Sequence, residues 1–388
     1  MVAAALVQTG LDRWSTSTRL RTGRWGLLAH PASVDGQLRH GLHLLRAGGV
    51  EVAALFGPEH GWSGAAQDME AVAESHRVVS LYGADEASLR PRSEELEGLD
   101  GLIVDLQDVG ARYYTYAATM AYCLEAFAEA GRPVVVLDRP NPLGGRAEDM
   151  EGPTVQPGYE SFVSELPIPI RHGMTMGELA RWCVAVRRLD VELEVVAMEG
   201  WRRAMFFDET SLPWVLPSPN MPTLDTAIVY PGQCLWEGTD FSEGRGTTRP
   251  FELVGGPSVN GEAWAKAAEP DLGPGLRLRP TGFKPTFQKH GGQHCGGVQL
   301  HVLDRARFRS VRASVALLVA ARRLGIGLGW RREAYEFVDD RLAIDLLFGS
   351  ETPRRLIDEG APTEAVLESF GDFCTEFAEA RAPYLLYD

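Results

Sequence analysis

One glutamate of this sequence stands in a turn that glycine and proline make stiff. Glu59 and His60 occupy the stretch GPEHG, which directly follows the apolar run VEVAALF. A carboxyl group that is partly withdrawn from water holds its proton more tightly and can protonate a leaving oxygen. We therefore interpret Glu59 as a candidate general acid, with His60 beside it as a candidate substrate contact. An ordinary solvated loop glutamate is the alternative.

Two further polar clusters also follow apolar runs. Asp105 and Asp108 close the run LIVDL, and an aspartate buried beside such a run needs a partner. Asp138, Arg139 and Asn141 lie in the stretch DRPNP, where two prolines restrict the turn. Four of them are candidate substrate contacts: Asp105, Asp138, Arg139 and Asn141. Asp108 and Asp138 are candidates for a second catalytic carboxylate. A structural role in each turn explains the pattern about as well.

A segment that is both aromatic and cationic opens a predicted helix. It contains Arg112, Tyr114 and Tyr116. Aromatic faces stack on sugar rings, and arginine pairs with carboxylates in a two-pronged geometry. Glu125 follows on the same helix among apolar neighbours, which makes it a candidate buried catalytic carboxylate. The alternatives are tyrosines that pack into the core and a glutamate that is exposed on the helix.

A glycine-rich stretch in the second half of the chain concentrates charge. EGTDFSEGRGTTRPFE begins at Glu237 and includes Glu243 and Arg245. Such loops usually carry ligand contacts, so these three residues are candidate substrate-binding residues. The acidic density also permits a metal ion, but no spacing specifies one. We predict no metal site here, and we predict a loop rather than a metal centre in HGGQHCGG.

The elements that must position these side chains alternate along the first half of the chain. Apolar runs that do not alternate with polar residues and are separated by helices predict a parallel sheet that is covered on both faces. The fold class is therefore α/β, with a Rossmann-like, doubly wound sheet. Because ligands bind outside the carboxyl ends of such strands, four strand ends would deliver their polar groups to one rim. The predicted strands are 24–29, 50–56, 102–106, 133–137 and 191–198, and the predicted helices are 41–47, 86–96, 115–130 and 175–189.

A proline-rich stretch, LPWVLPSPNMPT, indicates a domain boundary because it cannot continue a helix or a central strand. We expect a catalytic domain over residues 1–215 and a smaller α+β domain over residues 216–388 that completes a cleft. In the second domain we predict strands at 276–279 and 297–302, and helices at 311–324 and 363–381.

Composition excludes several classes of protein. The formal net charge is −15 and no long basic block occurs, which argues against nucleic-acid binding. No apolar run approaches the length of a membrane span. Five scattered cysteines without a CxxC pair indicate reduced thiols, and the first residues lack the pattern of a signal peptide, so we expect a cytoplasmic protein. The dinucleotide, P-loop and nucleophile-elbow motifs are missing, and we expect no cofactor.

Together these stretches resemble the exo-β-N-acetylmuramidase family of glycoside hydrolases, earlier catalogued as a bacterial domain of unknown function. The matching motifs are GPEHG, DLQDVGARYYTY, VLDRPNPLGG, EGP at Glu151, PIPIRHGMTMGELA, LPSPNMPT, YPG at Tyr230, EGTDFSEGRGTTRPFE and KPTFQKHGGQHCGGVQL, in order and over nearly the whole chain. The chain departs from the family pattern at AHPAS, after the first strand, and in the loop AAQDMEAVAESHRVVSLYG, which is shortened.

The resemblance implies an active site in the cleft between the two domains and release of non-reducing-end N-acetylmuramic acid from β-1,4-linked fragments. It implies catalytic glutamates at Glu59 and Glu125, and its motifs add His172 and Asn220 as candidate substrate contacts. Arg112, Arg139 or Arg245 would pair with the lactyl carboxylate of the sugar. The competing classes are a metal-dependent hydrolase, a two-domain sugar-binding protein without catalysis and a nucleotide-sugar enzyme. The oligomeric state is left open.

Overall fold

The first domain is built on a parallel sheet. A computed structural model describes residues 7–64 and 78–388 of the chain. The strands of the sheet are β1 Arg24–Ala29, β2 Glu51–Gly57, β3 Val78–Ser80, β4 Gly101–Asp105, β5 Val134–Leu137 and β6 Leu193–Val196. Their order is β3-β2-β1-β4-β5-β6, and all neighbours are parallel. This is the strand order of dinucleotide-binding folds, so the predicted Rossmann-like sheet is confirmed.

Helices cover both faces of this sheet. They are α1 Gly41–Ala47, α2 Tyr116–Glu129 and α3 Met176–Arg187. Side chains alternate between the faces of a strand. Leu27 and Ile103 therefore join the apolar cluster that includes α1, whereas Leu28 and Val104 join the cluster that includes α2 and α3. Burial on both faces explains why the strand sequences show no polar alternation.

A capping box forms the start of α3. Thr175 Oγ1 accepts a hydrogen bond from the backbone N–H of Glu178, and the Glu178 carboxylate accepts one from the N–H of Thr175. Two N–H groups that the helix cannot pair are thereby satisfied.

The second domain contains a three-stranded antiparallel sheet and most of the remaining helices. Its strands are β7 Leu253–Gly256, β8 Leu276–Phe283 and β9 Cys295–Val302, in the order β7-β9-β8. Its helices are α4 Leu224–Gln233, α5 Gly261–Ala268, α6 Ser310–Leu324, α7 Ala343–Phe348, α8 Thr352–Asp358, α9 Thr363–Glu368 and α10 Phe373–Arg381. The α+β expectation is confirmed, and the division at residues 215 and 216 stays a prediction.

Two predicted helices were wrong as single elements. The segment 86–96 forms two short 3-10 helices, Glu86–Leu89 and Ser93–Leu96. Pro91 lies between them, where it offers no N–H to a helical hydrogen bond. The segment 363–381 divides into α9 and α10, and Gly371 between them has a φ of 64°, which ends a right-handed helix.

The proline-rich segment lies against the carboxyl ends of the central strands. Pro217 O is 3.2 Å from His30 Nδ1, directly after β1, and accepts a hydrogen bond of 2.7 Å from the Tyr116 hydroxyl. His30 Nε2 accepts from the N–H of Gln107, beyond β4. Burial lowers the pKa of His30 to about 3, in keeping with a neutral ring that accepts at Nε2. The proline-rich segment thus covers the carboxyl ends of β1 and β4, and a cavity remains at the carboxyl end of β2.

Across the residues that the structure describes, no helix is both long enough and apolar enough to cross a membrane.

Candidate active site

A buried cavity lies where the end of β2, the start of α2, the proline-rich segment and the glycine-rich segment meet. Six of the residues predicted from the sequence line it: Glu59, His60, Tyr114, Asn220, Glu237 and Arg245. They come from both halves of the chain, so the cavity gathers side chains from the Rossmann-like domain and from the segment around the second sheet. Two of them, Glu59 and Glu237, are carboxylic acids.

Glu59 is positioned by a tight turn and one hydrogen bond. The residues after it, His60 and Gly61, have φ angles of 70° and 76°, in the left-handed region that glycine adopts without strain. Thr115 Oγ1 donates a hydrogen bond of 2.6 Å to Glu59 Oε2. Both side chains are buried. The carboxyl group of Glu59 is therefore held at the wall of the cavity and has restricted freedom to rotate.

Glu237 lies in the 3-10 helix Cys234–Gly238, directly after α4. Arg245 Nη2 donates to its Oε1 at 2.5 Å, and the Tyr335 hydroxyl donates to its Oε2 at 2.6 Å. Hydrogen bonds from a cation and a hydroxyl suit a carboxylate acceptor. The orientation of Glu237 is thus fixed from two sides.

Another buried carboxyl group, that of Glu243, lies directly behind Glu237 and Arg245. Glu243 Oε2 is 2.9 Å from Lys289 Nζ, and its Oε1 is 3.5 Å from Arg245 Nε. Burial opposes ionisation, but Lys289 and Arg245 lower the pKa of Glu243 below its usual value. Glu243 is absent from the lining of the cavity. Its contact with Arg245 supports the wall, so the prediction of a direct substrate contact is not met in this arrangement.

Aromatic rings form much of the wall. Tyr113, Tyr114, Tyr230 and Phe251 line the cavity, and the ring of Tyr230 meets the other three edge to face at centroid distances of 4.8–6.0 Å. The guanidinium carbon of Arg245 lies 5.1 Å from the centre of the Phe251 ring. Such walls present apolar faces to a ring-shaped ligand and keep a cation beside it.

A strained turn from the second half of the chain completes the enclosure. Tyr335 and Val338 exchange two backbone hydrogen bonds, and Glu336 and Phe337 between them have φ angles of 46° and 67°. The Tyr82 hydroxyl donates to Glu336 Oε2 at 3.0 Å, and the rings of Tyr82 and Phe337 lie 5.6 Å apart. Non-glycine residues in this region are held there by surrounding contacts. This turn links the first domain to Glu237 through Tyr335.

The cavity in this arrangement is tight. Its free volume is about 30 Å³, which accommodates little more than water. A sugar ring is larger than this free volume. The walls of the cavity must therefore separate before a saccharide can enter, as happens when loops open over many enzyme sites.

Several predicted substrate contacts lie in the framework instead. Asp105 and Arg139 form a fully buried pair in which Arg139 Nε and Nη2 donate to the two carboxylate oxygens at 2.5 and 3.0 Å. Arg112 donates to the backbone carbonyls of Pro153, Ile168 and Leu347. A buried guanidinium needs such partners. Because these donors are engaged, neither Arg112 nor Arg139 is placed to receive a substrate carboxylate.

The DRPNP turn also serves the framework. Asp138 accepts hydrogen bonds from Thr175 Oγ1, the N–H of Gly177 and the Tyr387 hydroxyl, and burial raises its pKa to about 6. Asn141 donates to the carbonyl of Met174 and accepts from the N–H of Leu143. These contacts secure the start of α3 and the end of the chain. They do not reach the cavity lining.

Asp108, His172 and Tyr116 are buried beside the cavity rather than in its lining. Asp108 Oδ2 accepts from the N–H of Gly110 at 2.6 Å and lies 3.4 Å from His172 Nε2. Tyr116 directs its hydroxyl at Pro217 and its ring at Tyr114, with centroids 4.7 Å apart. Their contacts support the loop and the aromatic wall.

Glu125 is separated from the cavity along α2. It lies nine residues after Tyr116, which corresponds to about 13 Å of helix. It forms ion pairs with Arg90 and Arg187 and is absent from the cavity lining. The sequence pattern did not distinguish a functional carboxylate from one held by arginines that are distant in sequence.

Sequence reasoning missed several lining residues. Most of the missed residues lie inside motifs that were identified from the sequence, so membership of a motif was an available signal. These residues are Tyr113, Thr115, Ser218, Met221, Tyr230 and Phe251. Tyr335 and Glu336 had no such signal, because only the folded chain brings their strained turn to Glu237. The predicted departure in the loop after GPEHG lies largely at residues 65–77, outside the described residues.

Among the side chains that the structure describes, no group of three His, Cys, Asp or Glu residues is placed to hold a metal ion.

The fold and the cavity define the class of protein. A Rossmann-like domain and a smaller α+β domain enclose three carboxylic acids (Glu59, Glu237 and Glu336), an arginine and aromatic rings. Paired carboxylic acids beside aromatic rings are what a carboxylate-dependent glycosidase requires.

Comparisons with known proteins identify the family within this class. Models described as exo-β-N-acetylmuramidase NamZ match residues 25–225 (N-terminal) and 228–387 (C-terminal). The peptidoglycan β-N-acetylmuramidase NamZ of Bacillus subtilis (strain 168) is 41% identical across 98% of this chain and 91% of its own length. The chain belongs to the exo-β-N-acetylmuramidase NamZ family.

Solved structures with a similar fold agree with this placement. Two crystal structures of DUF1343 family proteins from Bacteroides fragilis NCTC 9343 superpose with TM-scores of 0.86 and 0.75, at 31% and 28% identity. Each comparison covers 98% of this chain and 99% of the other.

Proposed function

We propose that the protein is an exo-acting β-N-acetylmuramidase that removes N-acetylmuramic acid from the non-reducing end of β-1,4-linked peptidoglycan fragments. Family membership supports the reaction class. The observation that carries the proposal is the enclosure of Glu59 and Glu237 in one cavity with Arg245. An enclosed pocket suits a chain end rather than the middle of a glycan, in accordance with exo action.

Glu59 is the general acid of the proposed mechanism. It protonates the glycosidic oxygen as the bond to the anomeric carbon breaks. Thr115 holds one oxygen of the carboxyl group and thereby aims it. The rigid turn after β2 keeps this group in place during the reaction.

Glu237 is the second carboxylate of the proposed mechanism. It replaces Glu125, Asp108 and Asp138 in that role, because those three residues are engaged outside the cavity lining. Its negative charge stabilises the positive charge that develops on the sugar ring, either directly or by activating water. Arg245 and Tyr335 hold it in position.

Arg245 is the proposed contact for the lactyl carboxylate. Of the three arginines considered from the sequence, it alone is among the residues that line the described cavity. Its position between Glu237 and the Phe251 ring places a cation beside the space for the sugar. The contact between a guanidinium and a carboxylate is directional, and a neutral amino sugar cannot form it because it has no carboxylate.

A cytoplasmic location stays a prediction. All five cysteines are free in the structure, which supports a reducing compartment.

The test compares Glu59→Gln and Glu237→Gln with the parent on a chromogenic β-N-acetylmuramide and on the natural disaccharide. Each variant keeps the size of the side chain and removes its acid. We expect kcat to fall at least about 100-fold in both. Glu125→Gln is the matched control and retains turnover. Near-normal turnover of Glu59→Gln, or release of internal fragments instead of single N-acetylmuramic acid, would contradict the proposal.

A further inference from the structure

A second, larger hollow opens beside the catalytic cavity. It has a volume of about 510 Å³, enough for a sugar unit, and its lining includes Trp330, Lys289, His290, Arg331 and Arg332. We call it the cationic groove. Asp240 and Glu333 also line it. The function described above does not use this groove.

The groove combines an aromatic ring with positive charge on an acidic protein. Trp330 is anchored, because its Nε1 donates to the Asp358 carboxylate at 2.9 Å and Arg322 lies 5.4 Å from its ring centre. The exposed side chain of Arg332 adds a cation at the edge. The whole chain carries a net charge of −15, so a surface with more basic than acidic side chains is unusual in this protein. An aromatic platform beside cations suits a saccharide that bears a carboxylate.

The groove and the catalytic cavity share a wall. Glu237 lines the cavity and Thr239, two residues later, lines the groove. The N–H of Arg331 donates to the carbonyl of Gly238 at 3.0 Å, and Thr239 forms a β-bridge with Trp330. Two residues of chain span at most about 7 Å. The wall that separates the two spaces is therefore only a few residues of chain thick.

Lys289 contacts the segment of chain that separates the two spaces. Its Nζ contacts the carbonyls of Trp236, Glu237 and Phe241 and the carboxylate of Glu243. The same residue lines the groove. Arg331 lies 5.0 Å from the ring centre of Tyr335, which holds Glu237. Two residues that line the groove thus contact the residues that position the second carboxylate.

We propose that the cationic groove is a subsite for the leaving-group side of the glycan, where it binds the lactyl carboxylate of a further N-acetylmuramic acid residue. This inference rests on the proposed function. In a glycan where N-acetylmuramic acid alternates with a neutral amino sugar, the sugar next to the cleaved bond carries no carboxylate and the following one does. The groove therefore favours a tetrasaccharide over a disaccharide.

The experiment measures kcat/KM on the peptide-free disaccharide and tetrasaccharide, each with N-acetylmuramic acid at the non-reducing end. We expect the parent to prefer the tetrasaccharide. Arg332→Glu lowers kcat/KM for the tetrasaccharide about tenfold and leaves that for the disaccharide within about twofold. Arg307→Glu, which makes the same charge change on an exposed arginine outside both spaces, changes neither. The preference of the parent also shrinks in about 0.5 M salt.

The outcomes separate the two proposals. Failure of the parent to release N-acetylmuramic acid from the disaccharide would contradict the proposed function. With that activity present, equal rates on both substrates, or an equal effect of Arg332→Glu on both, would overturn the subsite. A disaccharide with an attached stem peptide is a third substrate: if Arg332→Glu slows it while the tetrasaccharide is unaffected, peptide carboxylates are the ligand and the lactyl assignment is wrong.

Discussion

The hydrogen bond from Thr115 to Glu59 gives the account its sharpest prediction. Thr115→Val keeps the branched shape of the side chain and removes the hydroxyl that donates to Glu59 at 2.6 Å. Thr115 precedes α2, but its side chain makes no capping hydrogen bond to the helix. The substitution therefore leaves the helix start unchanged and acts on the orientation of Glu59.

The expected loss follows from the burial of both partners. A hydrogen bond to an ionisable group contributes about 1.5–3 kcal/mol, and each 1.36 kcal/mol in the barrier is a factor of ten in rate. If that contribution is needed in the transition state, kcat falls about 10- to 150-fold. KM changes little, because the hydroxyl acts on the acid and not on the bound sugar.

The assay is hydrolysis of a chromogenic β-N-acetylmuramide, with Thr115→Ser as the control that keeps the hydroxyl. Thr115→Ser retains most of the activity. A double-mutant cycle adds the decisive comparison. In a Glu59→Gln background, Thr115→Val lowers the residual rate by less than about threefold, since its target is already disabled. Thermal unfolding of each variant separates loss of activity from loss of folded protein.

Two results would refute this reasoning. An unchanged kcat in Thr115→Val shows that the hydroxyl does not position the acid. The same fold-loss in the parent and in Glu59→Gln shows that Thr115 acts independently of Glu59. A rise in KM with kcat intact would place the hydroxyl on the sugar instead.

Three further predictions follow. Arg245→Met lowers kcat/KM for a β-N-acetylmuramide about 10- to 100-fold more than for the matching β-N-acetylglucosaminide, and an equal loss on both would remove the lactyl contact. The pKa of Asp138 in the folded protein is about 6, above its ordinary value of 3.8. The contribution of Asp138 to the free energy of unfolding is therefore complete below about pH 4 and is lost as the pH rises through 6. Urea unfolding should therefore show the parent losing up to about 3 kcal/mol relative to Asp138→Asn between pH 4 and 7.5, and a constant difference would contradict this. Glu125→Ala keeps kcat within about twofold but lowers the melting temperature, because Arg90 and Arg187 each lose an ion pair. A large loss of kcat in folded protein would return Glu125 to the active site.

The sheet could be predicted because its signals are local. Five of the six strands were recognised as short apolar runs, and Thr175 with Glu178 marks the start of α3. The strand β3, Val78–Ser80, was not predicted, because three residues are too short a run to give such a signal. Breaks inside helical segments were harder to see. Pro91 and Gly371 divide segments whose apolar spacing continues across them.

The site could be predicted only in part because the sequence does not reveal which strand ends stay open. The polar clusters after β4 and β5 looked as functional as the one after β2. In the folded chain Pro217 caps the end of β1, Arg139 pairs with Asp105, and Asp138 holds α3. These partners are distant in sequence, so the choice between framework and site is made by tertiary contacts. Glu237 was found because its glycine-rich surroundings are visible in the sequence.

A crystal structure of the Glu59→Gln variant with the peptide-free disaccharide bound tests the central claim most directly. The account predicts the terminal sugar in the cavity, with the glycosidic oxygen within hydrogen-bond distance of residue 59, the anomeric carbon facing Glu237 and the lactyl carboxylate on Arg245. A sugar bound elsewhere, or one whose glycosidic oxygen points away from residue 59, would contradict the account.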